Sequence, residues 1–319
     1  MITSSAPIVC LGEILIDLIA PPGDTLATAP TFAIREGGAP LNAAVGLARL
    51  GVPVRFVGAV GDDPFGSRLR DLVVREGIDD QALRTMAGST TSIAYAWRDE
   101  RGDGRFHLVR MADRLLDTET VATAGIADAA AILTGSVALA ASPSREAVLA
   151  AVALAGSARV PVVFDINVRP TIWADQAALL SACEPVLSVA TVLKLSLDDA
   201  IHLWGAMTPK AVIERVRHYP ATVVVLTDGA RGVYRLDAEA NTVEHFPVFD
   251  VEAIDPTGAG DAFTAALVSR LAHHQWSSPT DDDIRFAMAA GALATTRQGA
   301  IAALPTREEL DAFLASRTS

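Results

Sequence analysis

The stretch Asp255-Pro256-Thr257-Gly258-Ala259-Gly260-Asp261 runs into a helical pattern in which Phe263, Leu267 and Leu271 recur every four residues. A loop almost free of side chains therefore opens a helix. Residues without bulk let backbone N–H groups approach a ligand, and at a helix amino terminus those groups carry the positive end of the dipole. The place is a ready anion site. Asp261 would repel an anion bound there, a conflict that makes sense if its task is to take a proton from a nucleophile attacking that anion. Read alone, an Asp is also what the dipole favours in a first helical turn, and the glycines are what a tight turn needs.

Outward from this loop, short apolar runs alternate with helical patterns. Ile8 to Leu11, Val54 to Val60, Ala131 to Thr134, Pro161 to Asp165, Thr191 to Leu195 and Thr222 to Thr227 read as strands. Asn42 to Leu50, Phe65 to Glu76, Arg145 to Ala155 and Ala262 to His273 read as helices, the first three closed by Gly51, Gly77 and Gly156. Continuous apolar strands between helices predict an α/β fold, a doubly wound, mostly parallel sheet covered on both faces. Two regions, Leu26 to Glu36 and Ser92 to Arg110, alternate polar and apolar residues instead, with a turn signal at Asp99 to Gly104. They predict antiparallel strands forming a small lid over a cleft. No repeat or long linker divides the chain, so residues 1–319 are expected to form one domain, with lid strands inserted at about 13–36 and 90–112.

Composition narrows the function classes. The 319 residues are 50% hydrophobic and carry a formal charge of -12, from 26 Lys plus Arg against 38 Asp plus Glu. Such a surface repels nucleic acid and anionic membranes, and no partner of either kind is expected. The only lysines are Lys194 and Lys210, which leaves few candidates for a phosphate-gripping Lys, and no Gly-x-x-x-x-Gly-Lys-Ser/Thr loop exists. Cys10 and Cys183 lie in separate apolar stretches without metal-ligand spacing and read as reduced core thiols of a cytoplasmic protein, a disulfide being the alternative. No signal peptide or membrane span is visible.

From Asp255 through Leu267 the loop and helix resemble the carboxy-terminal signature of the ribokinase (PfkB) carbohydrate kinases. The amino-terminal signature of that family is similar to Gly37-Gly38-Ala39-Pro40-Leu41-Asn42-Ala43-Ala44, with Gly51 and Gly61 at the expected distances. Taken singly, Asn42 reads as a helix cap. The resemblance covers almost the whole chain and implies a ribokinase-like fold that transfers the γ-phosphoryl group of ATP to a primary hydroxyl of a small sugar. It implies Asp261 as the base and the amides of Gly258, Ala259 and Gly260 as the anion hole. Asp17, ending what looks like the family's first strand, then binds sugar hydroxyls together with Gly37, Gly38 and Asn42. Arg169, in a segment Phe164 to Pro170 that is similar to the fructokinase and 2-keto-3-deoxygluconate kinase branches, and Arg110, in a matching lid segment, become substrate-side cations.

On the nucleotide side the resemblance implies Lys194, Ser196, Thr227, Gly229, Gly232, Gly258 and Gly260. Ser196-x-x-Asp199 stands where the family writes Asn-x-x-Glu, so Asp199 is expected to meet Mg2+ through water. Asp255 is the residue placed to hold a monovalent cation such as K+, which the family often uses. A homodimer through the lid is a further expectation. Fructokinase is the first choice of activity, with 2-keto-3-deoxygluconate kinase or ribokinase as alternatives and a non-catalytic sugar sensor as a more remote one. A Rossmann dehydrogenase would need Gly-x-Gly-x-x-Gly after a strand, and Gly58 and Gly61 do not match that spacing. Met288 is open between a base contact and ordinary core, core being favoured.

Overall fold

In the computed structural model, residues 6–99, 104–237 and 240–317 are described. The chain begins with β1 (Ile8–Leu11), β2 (Leu15–Ile19) and β3 (Ala33–Gly37), then α1 (Ala39–Arg49), β4 (Val54–Gly61) and α2 (Pro64–Arg75). Next come β5 (Leu83–Met86), β6 (Ile93–Arg98), β7 (Gly104–Val109), α3 (Thr118–Ala122), β8 (Ala131–Thr134), α4 (Ser144–Ala158) and β9 (Val162–Asp165). The rest holds α5 (Gln176–Leu187), β10 (Val192–Ser196), α6 (Leu197–Trp204), α7 (Pro209–Val216), β11 (Val223–Thr227), β12 (Val233–Asp237) and β13 (Thr242–Phe246). It closes with α8 (Ala259–His273), α9 (Asp281–Thr295), α10 (Ala300–Ala303) and α11 (Arg307–Ala315).

The main sheet has nine strands in the order β13-β12-β11-β10-β9-β8-β1-β4-β5, parallel from β11 to β5, with the β12–β13 hairpin antiparallel at one edge. Strand side chains alternate faces, and β1 shows the result. Ile8 and Cys10 enter the core under α1, α8 and α9, while Val9 and Leu11 enter the one under α4, α5 and α7. A sheet buried on both faces has no polar side, which is why its strands read as unbroken apolar runs. Cys10 and Cys183 are both free and buried, and burial pushes the Cys183 thiol up to about 12. Met288 is also core, 6% exposed in α9. No helix of the described residues is long and apolar enough to cross a membrane.

The lid is a four-stranded sheet in the order β3-β2-β6-β7, with antiparallel outer pairs and a parallel β2–β6 pair at its centre. Three expectations need correction. Leu26 to Phe32 is not strand, because Thr25 and Thr28 bond one another and Asp24 in a tight turn, leaving only Ala33–Gly37 extended. Asp17 does not end the first strand: β1 stops at Leu11 and Asp17 is the middle residue of β2, in the lid. Gly156 does not close α4. The closing bond runs from Val160 N–H to Ala155, so the helix reaches Ala158 and the left-handed position falls on Arg159 at φ 58°. The turn expected at Asp99 to Gly104 falls largely on 100–103, outside the described residues.

Candidate active site

The carboxyl ends of β1, β9, β10 and β11 open toward one edge, the place where parallel α/β sheets receive ligands, and α8 starts beside them. Gly258 caps α8 at φ 83° with no side chain to take the first-turn amides, so those amides remain available to an anion. A Cβ on Gly258 would also lie 2.8 Å from Ala300 Cα, which reserves the position for glycine on two counts.

Asp261 is 9% exposed and is the third residue of α8. Its Oδ2 accepts a hydrogen bond from Asn42 Nδ2 at 2.7 Å, leaving Asn42 Oδ1 buried without a partner. The pair forms because α1 crosses α8 closely. Gly46, one turn beyond Asn42, faces Ala265, one turn beyond Asp261, and a Cβ there would lie 2.6 Å from the alanine methyl. Burial, then the nearby Asp165 carboxylate, pushes Asp261 up to about 6, against the Asn42 hydrogen bond and the charges of Lys194 and Arg169. A carboxylate poised there can still accept a proton at neutral pH.

Under the loop lies a buried ion pair absent from the sequence expectations as such. Lys194 Nζ, 5% exposed, donates to both oxygens of Asp165 at 3.0 and 3.2 Å, and Thr264 of α8 donates to the same carboxylate at 2.6 Å. Burial alone would lower the ammonium, but the carboxylates of Asp165, Asp199 and Asp261 hold it charged. A Cβ on Gly260 would come within 3.2 Å of Nζ, so this charge sits directly beneath the anion hole. Asp165 and Thr264 lie inside the resembling segments but were given no role there; the signal was a carboxylate at the end of an apolar strand, which is buried only with a partner.

On the lid side, a Cβ on Gly37 would collide with the Asp17 carboxylate, so the glycine gives that side chain its place. Burial, and secondarily Asp261, pushes Asp17 up to about 7 against the charge of Arg169. Arg169 lies 5.3 Å from the centre of the Phe106 ring of β7 and donates to Asn167 Oδ1 at 2.5 Å. Its field reaches Glu13, Asp17 and Asp261 alike, which makes it the cation of the cleft. Arg110, expected to share that role, directs its guanidinium, 8% exposed, to Asp113 at 2.7 Å and to the Val137 carbonyl at 2.6 Å, while its Nη2 makes no hydrogen bond and its charge also acts on Glu13. Gly38 caps α1 at φ 114°.

Ser196 ends β10 in register with Thr227 at the end of β11, which brings these two residues expected on the nucleotide side together. Ser196 and Asp199 form the capping box of α6, and the second Asp199 oxygen accepts from Val168 N–H at 2.7 Å. Gly229 and Gly232 flank the turn into β12, where Gly232 also makes room for the Phe246 carbonyl and His245. Asp255 binds the Thr257 hydroxyl at 2.7 Å and the Gly299 amide at 3.0 Å, and Arg98 of the lid approaches it to 3.5 Å. Burial would raise this carboxyl, but those hydrogen bonds and Arg98 keep it below the usual range. Among the described residues no three His, Cys, Asp or Glu side chains form a metal-binding group.

This arrangement has counterparts. Residues 5–307 match the pfkB family carbohydrate kinase. The fructokinase of Klebsiella pneumoniae is 36% identical over 310 residues, 95% of this chain and 98% of that protein. The crystal structure of a Xylella fastidiosa fructokinase with bound ATP superposes with a TM-score of 0.86 at 31% identity, covering 98% of this chain and 99% of that one. A Vibrio cholerae fructokinase variant with fructose, ADP and potassium ion gives 0.84 at 30% identity, again covering 98% and 99%. A match over nearly the whole chain, with Asp261, the glycine loop and the lid all in place, makes the protein a member of the pfkB family of carbohydrate kinases.

Proposed function

We propose that the enzyme transfers the γ-phosphoryl group of ATP to a primary hydroxyl of fructose. The observation that carries the reading is Asp261, oriented by Asn42 at the mouth of a helix amino terminus whose first amides are left open to an anion. Asp261 takes the proton of the attacking hydroxyl, a contribution of about 10²–10⁴-fold. The amides from Gly258 to Asp261 meet charge growing on the transferred group, each worth roughly 10²–10³-fold. Lys194 adds a fixed positive charge from below, and Asp165 keeps it in place. Asp17, Gly37 and Asn42 hold the sugar, and the lid excludes water.

Carried in by the nucleotide, Mg2+ would neutralise phosphate charge. Asp199 fits a contact through water, since both its oxygens already accept hydrogen bonds. Potassium has Asp255 as its candidate carboxylate, although Thr257, Gly299 and Arg98 already share it. The cleft charge favours a neutral sugar over a sugar acid. Arg169 and Arg110 already face the Glu13, Asp17 and Asp113 carboxyls, so an acidic substrate such as 2-keto-3-deoxygluconate would have to share cations that these carboxyls already engage. Tyr95, Trp97, His107 and Val109 share the outer lid face, an aromatic surface that suits a homodimer through the lid.

A coupled assay of ADP release over fructose, ribose, tagatose, 2-keto-3-deoxygluconate and nucleosides, with and without potassium, tests the reading. Fructose should exceed the others by at least about tenfold in kcat/KM. A sugar acid at the top would overturn it, and sugar binding without ATP consumption would make the protein a sensor.

A further inference from the structure

Glu13 is a buried carboxyl where the main sheet, the lid and α1 meet, and the reaction as described assigns it no task. It lies in the passage between β1 and β2 and is 4% exposed. Its Oε1 accepts from the Ala39 amide at 3.3 Å, while Oε2 is buried with no partner. The charges facing it are Arg110 and Asp113 at the lid joint and Arg169 in the cleft, and burial pushes it up to about 7. An unsatisfied buried polar atom costs about 1–3 kcal/mol. That cost offsets the roughly 0.5–2 kcal/mol that its one bond to the helix start contributes.

Ala39 is the first residue of α1, and Gly38 at its cap has no side chain to offer the opening amides. Glu13 supplies that acceptor from 26 residues earlier in the chain, where a helix amino terminus favours a carboxylate. Its backbone bears on the same spot: a Cβ on Gly38 would lie 2.5 Å from the Glu13 carbonyl oxygen. One turn further along α1 stands Asn42, which holds Asp261. Glu13 therefore ties the start of the helix that orients the base to the passage between sheet and lid, beside the packing of Pro40 on Gly12.

We propose that Glu13 is a positioning residue for phosphoryl transfer, which caps α1 so as to set Asn42 against Asp261 and couples that setting to the lid. The inference rests on the kinase reading above, with Asp261 as base. Displacement of a reacting group by about 1 Å costs on the order of 10²-fold in rate, so loss of Glu13 acts on kcat rather than on substrate affinity.

The experiment compares Glu13→Ala and Glu13→Gln with wild type in steady-state kinetics with fructose and ATP, and in thermal unfolding. Glu13→Ala should lower kcat by at least about tenfold, with both KM values within about threefold and Tm unchanged or raised. Glu13→Gln keeps an acceptor for Ala39 and should recover kcat to within about threefold of wild type. A Glu13→Ala kcat within about twofold of wild type overturns the inference, as does a loss of kcat in both variants that follows a loss of Tm. A wild-type enzyme that phosphorylates no sugar overturns the underlying reading, whereas active wild type beside an unaffected Glu13→Ala overturns the Glu13 role alone.

Discussion

The two sides of the cleft are built differently. The α8 side is core: Asp261, Asp165, Lys194 and Thr264 are each less than a tenth exposed and lie on a helix and two central strands. The lid side is a thin sheet of four strands, with Asp17 half-buried and Arg169 resting on a lid phenylalanine. Chemistry needs groups held to a fraction of an ångström, and a packed interior does that. Recognition of a small sugar needs an entrance, and a light sheet can move.

The contrast predicts which substitutions fall on turnover and which on affinity. Asp261→Asn should reduce kcat by about 10²–10⁴-fold with ATP affinity unchanged, measured by steady-state kinetics and calorimetry. A change confined to KM would place Asp261 with the recognition groups. Lys194→Met leaves Asp165 buried without its partner and should destabilise the fold by about 3–5 kcal/mol in denaturant unfolding. A loss under 1 kcal/mol would mean that the core side is less rigid than its packing implies. Arg169→Ala, on the lid side, should raise KM for the sugar by about tenfold while kcat stays within a few-fold. An equal fall in kcat would blur the two sides.

The smallest effect is a pH dependence of the ligand-free fold. Burial raises Glu13 and Asp17 to about 7 and Asp261 to about 6, so near pH 6 the folded protein binds protons that the unfolded chain has released. Stability therefore falls as pH rises through these values. Tm should be a few degrees higher at pH 6 than at pH 8, and a Tm that rises with pH would contradict the burial of these carboxyls.

The same contrast decides what the sequence discloses. Asp255 to Asp261 is contiguous, and the open helix start it forms can be read from the chain itself, because a helix start is a local structure. The parallel strands were readable for a related reason, since a doubly buried strand is apolar at every position. The sugar side was not local. Asp17 and Gly37 face one another only through the β2–β3 pairing, and Arg169 meets Phe106 only across the cleft. Arg110 looked like a substrate cation because nothing near it in sequence announces that the Val137 carbonyl will take its guanidinium. Glu13 has its partner, a backbone amide, 26 residues away, so nothing near it in sequence announces the contact. The edge hairpin β12–β13 was missed because its short strands, as at Thr242-Val243-Glu244-His245, lack the apolar run of the centre.

Product release or lid opening limits kcat in many kinases, so the most direct test of Asp261 as base is a single turnover. Excess Asp261→Asn enzyme, loaded with Mg2+ and ATP, is mixed with fructose and quenched over time. The account predicts sugar phosphate formed at less than about a hundredth of the wild-type rate, with ATP still bound at wild-type affinity. Product formed at more than about a tenth of the wild-type rate would contradict it.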